Sequence, residues 1–497
     1  MSNVKYITTP LYYVNADPHI GHAYTQVAAD TLARYWRQRG KKVFFLTGSD
    51  EHGQKVQDAA AESGLSPREH TDKMVSKFKD LWKKLNITND GFIRTTDEKH
   101  KETVKNILSS LYEKGKIQKR SYTGWYCVSD ERFWKEKDLA DGSCPECGRE
   151  VEKIEEENYF FLMSAYRGQL IEYIESNPGF IMPGIRRNEV LGFLKNNELD
   201  DLCISRPKSR LSWGITLPFD SEYVTYVWFD ALINYYSATT YLVPEGIKWW
   251  PATCHLIGKD ILTTHSVYWS TMLMAAGLPL PEKIFAHGWW TISGEKMSKS
   301  LGNALNPLDF IKERGVDAFR YFLLRQVTFG KDGSFSAGQF KSRYDTDLAN
   351  ELGNLLNRVL SMIAKYKPEY RGSNPDGFDR QVNELYGELD GLYEDLKFNI
   401  ILEKIWEIIK RANTYIEQQM PWELKKKDET ERLAEVLTNL FEALANIAVF
   451  IEPFMPESSE KIKQQLGTDK KKEPEFKWEA DGSFEKIKKA VPVFPKD

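Results

Sequence analysis

An alternation at the start of the chain constrains the fold more than any other feature. Val4-Lys5-Tyr6-Ile7-Thr8-Thr9 is a short β-prone run, and after a loop rich in Pro, Tyr and Asn, residues 23–39 read as a helix. Val27, Ala28, Leu32, Tyr35 and Trp36 form its apolar stripe, and Gly40 suits its C-terminal cap. Val43 to Leu46 is a second buried strand, followed at once by the polar cluster Thr47 to Gly53 and another helix. Strand, loop and helix in repetition mark a parallel, doubly wound sheet, because parallel neighbours need a crossover and the helix supplies it. Such sheets bind ligands outside the carboxyl ends of their strands, so the polar loops are where chemistry is expected.

The pattern breaks at about Ile117. Residues 118–225 hold short aromatic strands, a cysteine cluster and a Pro/Gly-marked segment from Asn177 to Gly184, and they read as an insertion. Strand-helix grammar then returns: His255-Leu256-Ile257-Gly258 leads into a helix from Ile261 to Ala276, and Lys283 to His287 is another strand. Beyond Ser342 the spacing of Leu348, Leu352, Leu355, Val359, Met362 and Ile363, then of Ile401, Ile405, Ile408 and Ile409, is helical throughout. Gly372 to Gly377 breaks the helices, and the lysine-rich tail from Gly467 reads as partly irregular. The expected fold class is α/β, a doubly wound, Rossmann-like parallel sheet split by an insertion and followed by an α-helical bundle. The expected division is 1–117 and 226–290 for the two halves of the sheet, 118–225 for the insertion, 291–342 for a linker, 343–466 for the bundle and 467–497 for the tail.

A chain of 497 residues, 41% hydrophobic and 28% charged, fits several folded domains and excludes a disordered protein. A formal net charge of -4 excludes a wholly basic nucleic-acid coat and leaves a local basic face open. The N-terminus lacks the apolar stretch of a signal peptide and no run reads as membrane-spanning, so the expectation is a soluble, cytoplasmic protein with no membrane partner. Three of the five cysteines cluster as Cys127-x-x-Asp130 and, thirteen residues on, Cys144-Pro145-Glu146-Cys147. Two knuckle-like pairs at this spacing suit one tetrahedral zinc ion with Cys127, Asp130, Cys144 and Cys147 as ligands; the alternative is a vestigial knuckle of free thiols. Cys203 and Cys254 read as small core residues.

Two loops carry the chemistry. Pro18-His19-Ile20-Gly21-His22 stands at a helix N-terminus, where two imidazoles, a glycine that admits close backbone approach and the helix dipole suit ATP phosphates. Near position 300, Lys296-Met297-Ser298-Lys299-Ser300 sets two lysines around small hydroxyls on a glycine-bordered loop, able to close over a triphosphate and neutralise departing pyrophosphate. Either motif alone is weak. Together on a split α/β sheet they resemble the two signature sequences of class I aminoacyl-tRNA synthetases. Leu11-Tyr12-Tyr13-Val14-Asn15, Thr47-Gly48-Ser49-Asp50-Glu51-His52-Gly53, Val227-Trp228-Phe229-Asp230-Ala231 and Gly258-Lys259-Asp260-Ile261 are similar, in that order, to the methionine branch of that family, and the resemblance covers residues 5–465.

The resemblance implies ligation of methionine to tRNA through methionyl-adenylate, with Mg²⁺ accompanying ATP. It assigns catalysis to His19, His22, Lys296 and Lys299, and ATP binding to these with Gly21 and Ser298. The methionine pocket becomes Leu11, Tyr13, Asp50, Trp228, Ala231, Tyr235 and His265. The residue types agree: Asp50 can pair with an ammonium, Trp228 is an apolar wall, and Tyr13 and His265 can donate weakly to a thioether sulfur. In the bundle, Asn354 and Arg358 lie four apart on one helix face, and Met420-Pro421-Trp422 opens a later helix. The family's anticodon reader is similar, with Asn354 and Arg358 for base edges, Trp422 for stacking and Pro421 for the turn. The implied partners are methionine, ATP and methionine tRNA, initiator and elongator. Many members continue into an oligonucleotide-binding (OB-fold) barrel whose strands are missing before Asp497, which leaves open a separate OB-fold tRNA-binding subunit. Rival readings are another class I synthetase, a small nucleotidylyltransferase, and a non-catalytic RNA-binding descendant of a synthetase.

Overall fold

The computed structural model describes residues 3–127, 132–134, 136–145, 147–243, 248–292, 295–296, 305–371, 376–468, 478 and 484–496. The chain divides into two compact units. Met1–Pro18, Val43–Lys83 and Asn89–His287 form the first, the sheet unit; His19–Lys42, Lys84–Thr88 and Gly288–Asp497 form the second, the helical unit.

The sheet unit is built on six strands in the order Gly91–Arg94, Lys42–Asp50, Val4–Tyr13, Cys254–Gly258, Ile284–His287 and Ile181–Met182. Ile7 pairs with Cys254, Leu46 with Gly91, His255 with Ile284 and Ile284 with Ile181, and each of these four ladders is parallel. The first strand lies inside the sheet with later strands on both sides, the doubly wound order expected from the opening alternation. Burial on both faces suits the near-continuous apolar runs: Tyr6, Ile7, Phe44, Phe45 and Leu46 are all at most 1% exposed. Gly48 is required where two of these strands meet, because a Cβ there would stand 2.1 Å from the Ile93 carbonyl oxygen and 2.8 Å from a Leu11 methyl.

Within residues 118–225 the long strands Ile117–Cys127 and Glu152–Phe161 pair antiparallel over ten residues, from Ile117–Phe161 to Tyr126–Glu152. The Pro/Gly-marked Asn177–Gly184 segment, read as part of the insertion, also holds the edge strand Ile181–Met182 of the parallel sheet, flanked by the helices Arg167–Ser176 and Gly184–Asn196. Two residues are too few for periodicity to reveal a strand. The helix expected over 261–276 is a composite of a 3₁₀ turn at Lys259–Ile261, a π-helical stretch Thr264–Trp269 and the α-helix Ser270–Ala276.

The helical unit contains the helix Ile20–Gln38, the small antiparallel pair Trp290–Ile292 with Glu295–Lys296, and a series of helices running from Pro307–Arg314 to Pro456–Leu466. Its longest helices, Phe398–Gln419 and Thr430–Ile451, pack their apolar faces together with Phe378–Glu394 and Asn354–Tyr366. Thr430–Ile451 corrects the expectation that no run is long and apolar enough to cross a membrane: an 18-residue window within its 22 residues reaches a mean hydropathy of 1.5, but 94% of that window is buried inside the protein. It is a core helix, apolar all round because neighbours cover it all round.

A candidate active site

The helix after the first strand begins at Ile20, three residues before the position expected from its apolar stripe, because His19 caps it. His19 Nδ1 accepts from the Gly21 amide at 3.1 Å, and His22 Nδ1 accepts from the His19 amide at 3.1 Å. This is a capping box built from two histidines, with the rings stacked at 3.8 Å between centroids. An amide can only donate, so both Nδ1 atoms present lone pairs and the ring proton of each neutral imidazole sits on Nε2. Gly21 has a steric reason: a Cβ there would stand 2.9 Å from Cε1 of the folded-back His19 ring. Glu295 and Lys296 form a short strand with Thr291 and Ile292, while Ser298 and Lys299 lie outside the described residues.

In the sheet unit, the residues read as an amino-acid pocket come from four segments. Leu11 and Tyr13 end the first strand, both half-buried, and Asp50 ends the second at 2% exposure. Half-buried Trp228, with Ala231 and Tyr235, lies on the helix Val227–Tyr241, and His265 on the π-helical stretch. His265 Nδ1 donates to the Ile261 carbonyl at 2.8 Å, which leaves Nε2 to accept the Tyr235 hydroxyl at 2.7 Å. Burial pushes the His265 imidazole down to about 4, so it stays neutral. Burial pushes the Tyr235 hydroxyl well above its ordinary value, and the charge of Asp50 adds to the effect, which puts Asp50, Tyr235 and His265 in one neighbourhood. Behind them, His255 accepts from the Trp269 indole at 3.2 Å and meets Thr8 Oγ1 at 2.7 Å, while the Tyr6 hydroxyl donates to the Tyr235 carbonyl at 2.7 Å. His265, Tyr235, His255, Trp269, Thr8 and Tyr6 thus form a buried network of satisfied, uncharged polar groups.

Glu51 and Arg94 were missed as site residues. Arg94 grips the Glu51 carboxylate with Nε at 2.6 Å and Nη2 at 3.0 Å, and Ser49 and Thr96 hydroxyls donate to it at 2.6 and 2.5 Å. With Glu51, Ser49 and Thr96 buried and Arg94 half-buried, this network fixes the strand end that carries Asp50. Glu51 and its partner Ser49 stand in a motif quoted for its resemblance, but Arg94 and Thr96 come from the end of the neighbouring strand and the turn after it, which sequence spacing does not connect to Glu51.

Cys127, Cys144 and Cys147 come together, with all three sulfurs within 4.8 Å of one another and Cys127 Sγ 3.5 Å from Cys147 Sγ. Thiolates on a tetrahedral ion with arms of about 2.3 Å lie roughly 3.8 Å apart, so the cluster can hold a metal ion. Asp130 lies outside the described residues. In the helical unit, Asn354 is exposed on the first turn of Asn354–Tyr366, and Arg358 is half-buried and paired with Glu417 at 2.6 Å. Pro421 and Trp422 open the helix Pro421–Lys426 after a left-handed Met420, φ 45°.

The class I tRNA synthetase (M) family model matches residues 5–156 and 149–360, and the model of the anticodon-binding domain of tRNA ligases matches residues 378–491. The methionine–tRNA ligase of Caldanaerobacter subterraneus subsp. tengcongensis is 48% identical over 478 residues, which span 94% of this chain and 74% of that protein. The Thermotoga maritima methionine–tRNA ligase is 48% identical over 481 residues, 94% of this chain and 76% of that one. The chain belongs to the methionyl-tRNA synthetase family. A solved Mycobacterium tuberculosis methionyl-tRNA synthetase, in complex with methionyl-adenylate, superposes with a TM-score of 0.90 at 40% identity, covering 99% of this chain and 100% of that one. The chain is accordingly an enzyme, a class I methionine–tRNA ligase, and the Rossmann-like sheet followed by a helical bundle is the architecture of its family.

Proposed function

We propose that the two loops and the pocket divide the reaction between them. The enzyme activates methionine with ATP to methionyl-adenylate and transfers it to methionine tRNA. In activation, the methionine carboxylate attacks the α-phosphorus and the bond to the pyrophosphate oxygen breaks, with no covalent enzyme intermediate. His19 and His22 bind the triphosphate from the helix N-terminus together with Gly21, their Nε2–H groups donating to oxygens that gain charge as the α-phosphorus becomes five-coordinate. The observation that carries this reading is the histidine capping box, which turns both Nε2 protons away from the helix. Lys296 and Lys299 draw off the pyrophosphate charge, and Ser298 helps to bind ATP. Mg²⁺ bound with ATP would neutralise part of its charge.

Methionine lies between Leu11, Tyr13, Trp228, Ala231, Tyr235 and His265, with its ammonium on Asp50. Neutral His265 and Tyr235 suit an uncharged thioether, so rejection of a side chain of equal size rests on weak contacts. The terminal adenosine 2′-hydroxyl of the tRNA then displaces AMP from the adenylate. Asn354 and Arg358 read anticodon base edges, Trp422 stacks a splayed base and Pro421 shapes the turn that presents it. Cys127, Cys144 and Cys147, with Asp130 as fourth ligand, would hold a structural zinc ion, which would cross-link the inserted segment. The domain division follows the sequence boundaries, with 343–466 as anticodon domain, and the enzyme works in the cytoplasm on initiator and elongator tRNA. A separate OB-fold subunit would add affinity for tRNA.

The test is amino-acid-dependent exchange of labelled pyrophosphate into ATP, run with all twenty amino acids. Exchange with methionine alone is expected, and exchange with another amino acid would overturn the pocket. His22→Ala should lower the exchange rate on the order of 10²- to 10³-fold with the fold retained. An unchanged rate would remove His22 from the machinery.

A further inference from the structure

Asp50 and the pocket wall sit on different elements, the end of the strand Lys42–Asp50 and the first turn of the helix Val227–Tyr241. Asp230 lies on that first turn, between Trp228 and Ala231, and is fully buried. Its Oδ2 stands 3.0 Å from Nδ1 of His52, two residues beyond Asp50. On the far side His100 Nε2 faces Asp230 Oδ1 at 3.9 Å, with His100 Nδ1 2.8 Å from Ser237 Oγ on the same helix as Asp230. His52 is itself held: the Trp213 ring meets it edge-on at 5.6 Å, and the Trp213 indole donates to the Glu51 carbonyl. Glu51 is locked by Arg94, Ser49 and Thr96. Burial opposes a charge on Asp230, but the neighbouring His52 and His100 outweigh it and hold the carboxyl below its usual range. A buried carboxylate persists only where it is partnered, and here the partner belongs to the other substrate-reading element.

We propose that the His52–Asp230 pair is a positioning device for the amino-acid pocket. It sets the spacing between Asp50, which receives the ammonium, and the Trp228–Ala231 wall, which receives the side chain. Both are positioning residues that act through their neighbours and not by touching substrate. The proposal rests on the methionine-pocket reading above, and it predicts control of methionine affinity and side-chain choice with ATP handling left alone.

The experiment is pyrophosphate exchange on the full chain, with KM measured for methionine, norleucine and ATP, alongside a thermal melt of each variant. His52→Ala should raise the methionine KM about 10-fold, as expected for a lost bond to a charged group, and bring the norleucine and methionine KM values closer together. The ATP KM and kcat should stay within about two-fold, since only ground-state binding of one substrate is lost. His52→Asn, whose amide can take the place of Nδ1–H, should return the methionine KM to within about three-fold of the parent. If His52→Ala does not fold, Asp230→Asn serves: the neutral acceptor should raise the methionine KM about three-fold. A folded variant with the parent methionine KM, or one in which kcat and both KM values move together without rescue by asparagine, would overturn the device. Asp50→Asn separates the two readings. An unchanged methionine KM in Asp50→Asn would overturn the pocket itself, whereas a raised one beside an unaffected His52→Ala would overturn only the positioning pair.

Discussion

Each unit buries a carboxylate completely, Asp230 in the sheet unit and Asp30 in the helical unit, but the two are neutralised by different chemistry. Asp230 faces imidazoles. Asp30 is held by Arg34 and Arg320, both at 2.7 Å, and by the amide and hydroxyl of Thr88 at 2.7 and 2.6 Å. Burial opposes ionisation at both, and charged or donating neighbours win at both, so both carboxyls are held below the usual range. Arg320 is itself fully buried and also donates to the carbonyls of Phe454, Leu85 and Pro453 at 2.8, 3.1 and 3.0 Å. One guanidinium therefore ties the helix Ile20–Gln38 to two other segments of its unit. A guanidinium keeps its charge at every working pH. The helical unit uses buried charge as permanent scaffold, and the sheet unit uses it to place a pocket.

The strongest test of that contrast is Arg320→Met. Asp30 would keep Arg34 and Thr88, but three buried carbonyls would lose their donor and the buried carboxylate one of its two counter-ions. Removal of one partner from a buried pair costs about 3–5 kcal/mol, and the helical unit should lose that much in urea unfolding. A loss below about 1 kcal/mol would show that packing alone holds these segments.

Acid should separate the units next. His52, His70, His100, His255, His265 and His287 lie in the sheet unit, against His19 and His22 in the helical unit. Burial pushes His265 down to about 4 and His255 well below its ordinary value. The unfolded chain, with histidines near 6.5, then binds more protons than the folded one between roughly pH 4 and 6.5. Stability is full above that window and falls as pH drops through it, and His265 alone accounts for about 2 kcal/mol between pH 7.5 and 5. Urea unfolding at the two pH values should show the sheet unit weakening first; equal loss in both units would refute the contrast.

The parallel sheet was legible because its strands are buried on both faces and separated by amphipathic crossovers, so apolar runs such as Val43 to Leu46 announce themselves. The edge strand Ile181–Met182 was not, since its pairing with Ile284–His287 is decided by tertiary contact and not by its own two side chains. The sequence motif marks His19, Gly21 and His22 as a loop at a helix start, but the capping box that fixes the two histidine tautomers needs the turn's geometry. Asp50 and Trp228 were reached through motifs. The bond between their neighbours, His52 and Asp230, joins positions far apart in the chain, and no local pattern in a single sequence carries that information.

The smallest expected effect sharpens the comparison most, because it asks whether one hydroxyl matters differently in the two units. Tyr235 donates to His265 Nε2 at 2.7 Å, and Tyr321 donates to Asp347 Oδ2 at 2.8 Å. Both phenols are buried, and burial raises the hydroxyl of each well above its ordinary value. In the helical unit, Arg343 also reaches Asp347 at 3.0 Å, so Tyr321→Phe leaves a charged partner in place. In the sheet unit, Tyr235→Phe withdraws the donor from a neutral ring nitrogen whose other nitrogen is already committed to Ile261. Tyr235→Phe should therefore cost about 1–2 kcal/mol and Tyr321→Phe less than about 1 kcal/mol. Methionine KM should rise a few-fold in Tyr235→Phe alone, with ATP KM unmoved, if the hydroxyl orients His265 toward the substrate. Equal costs would mean that guanidinium-backed and imidazole-backed networks are equally redundant, and the division between scaffold and pocket would have to be abandoned.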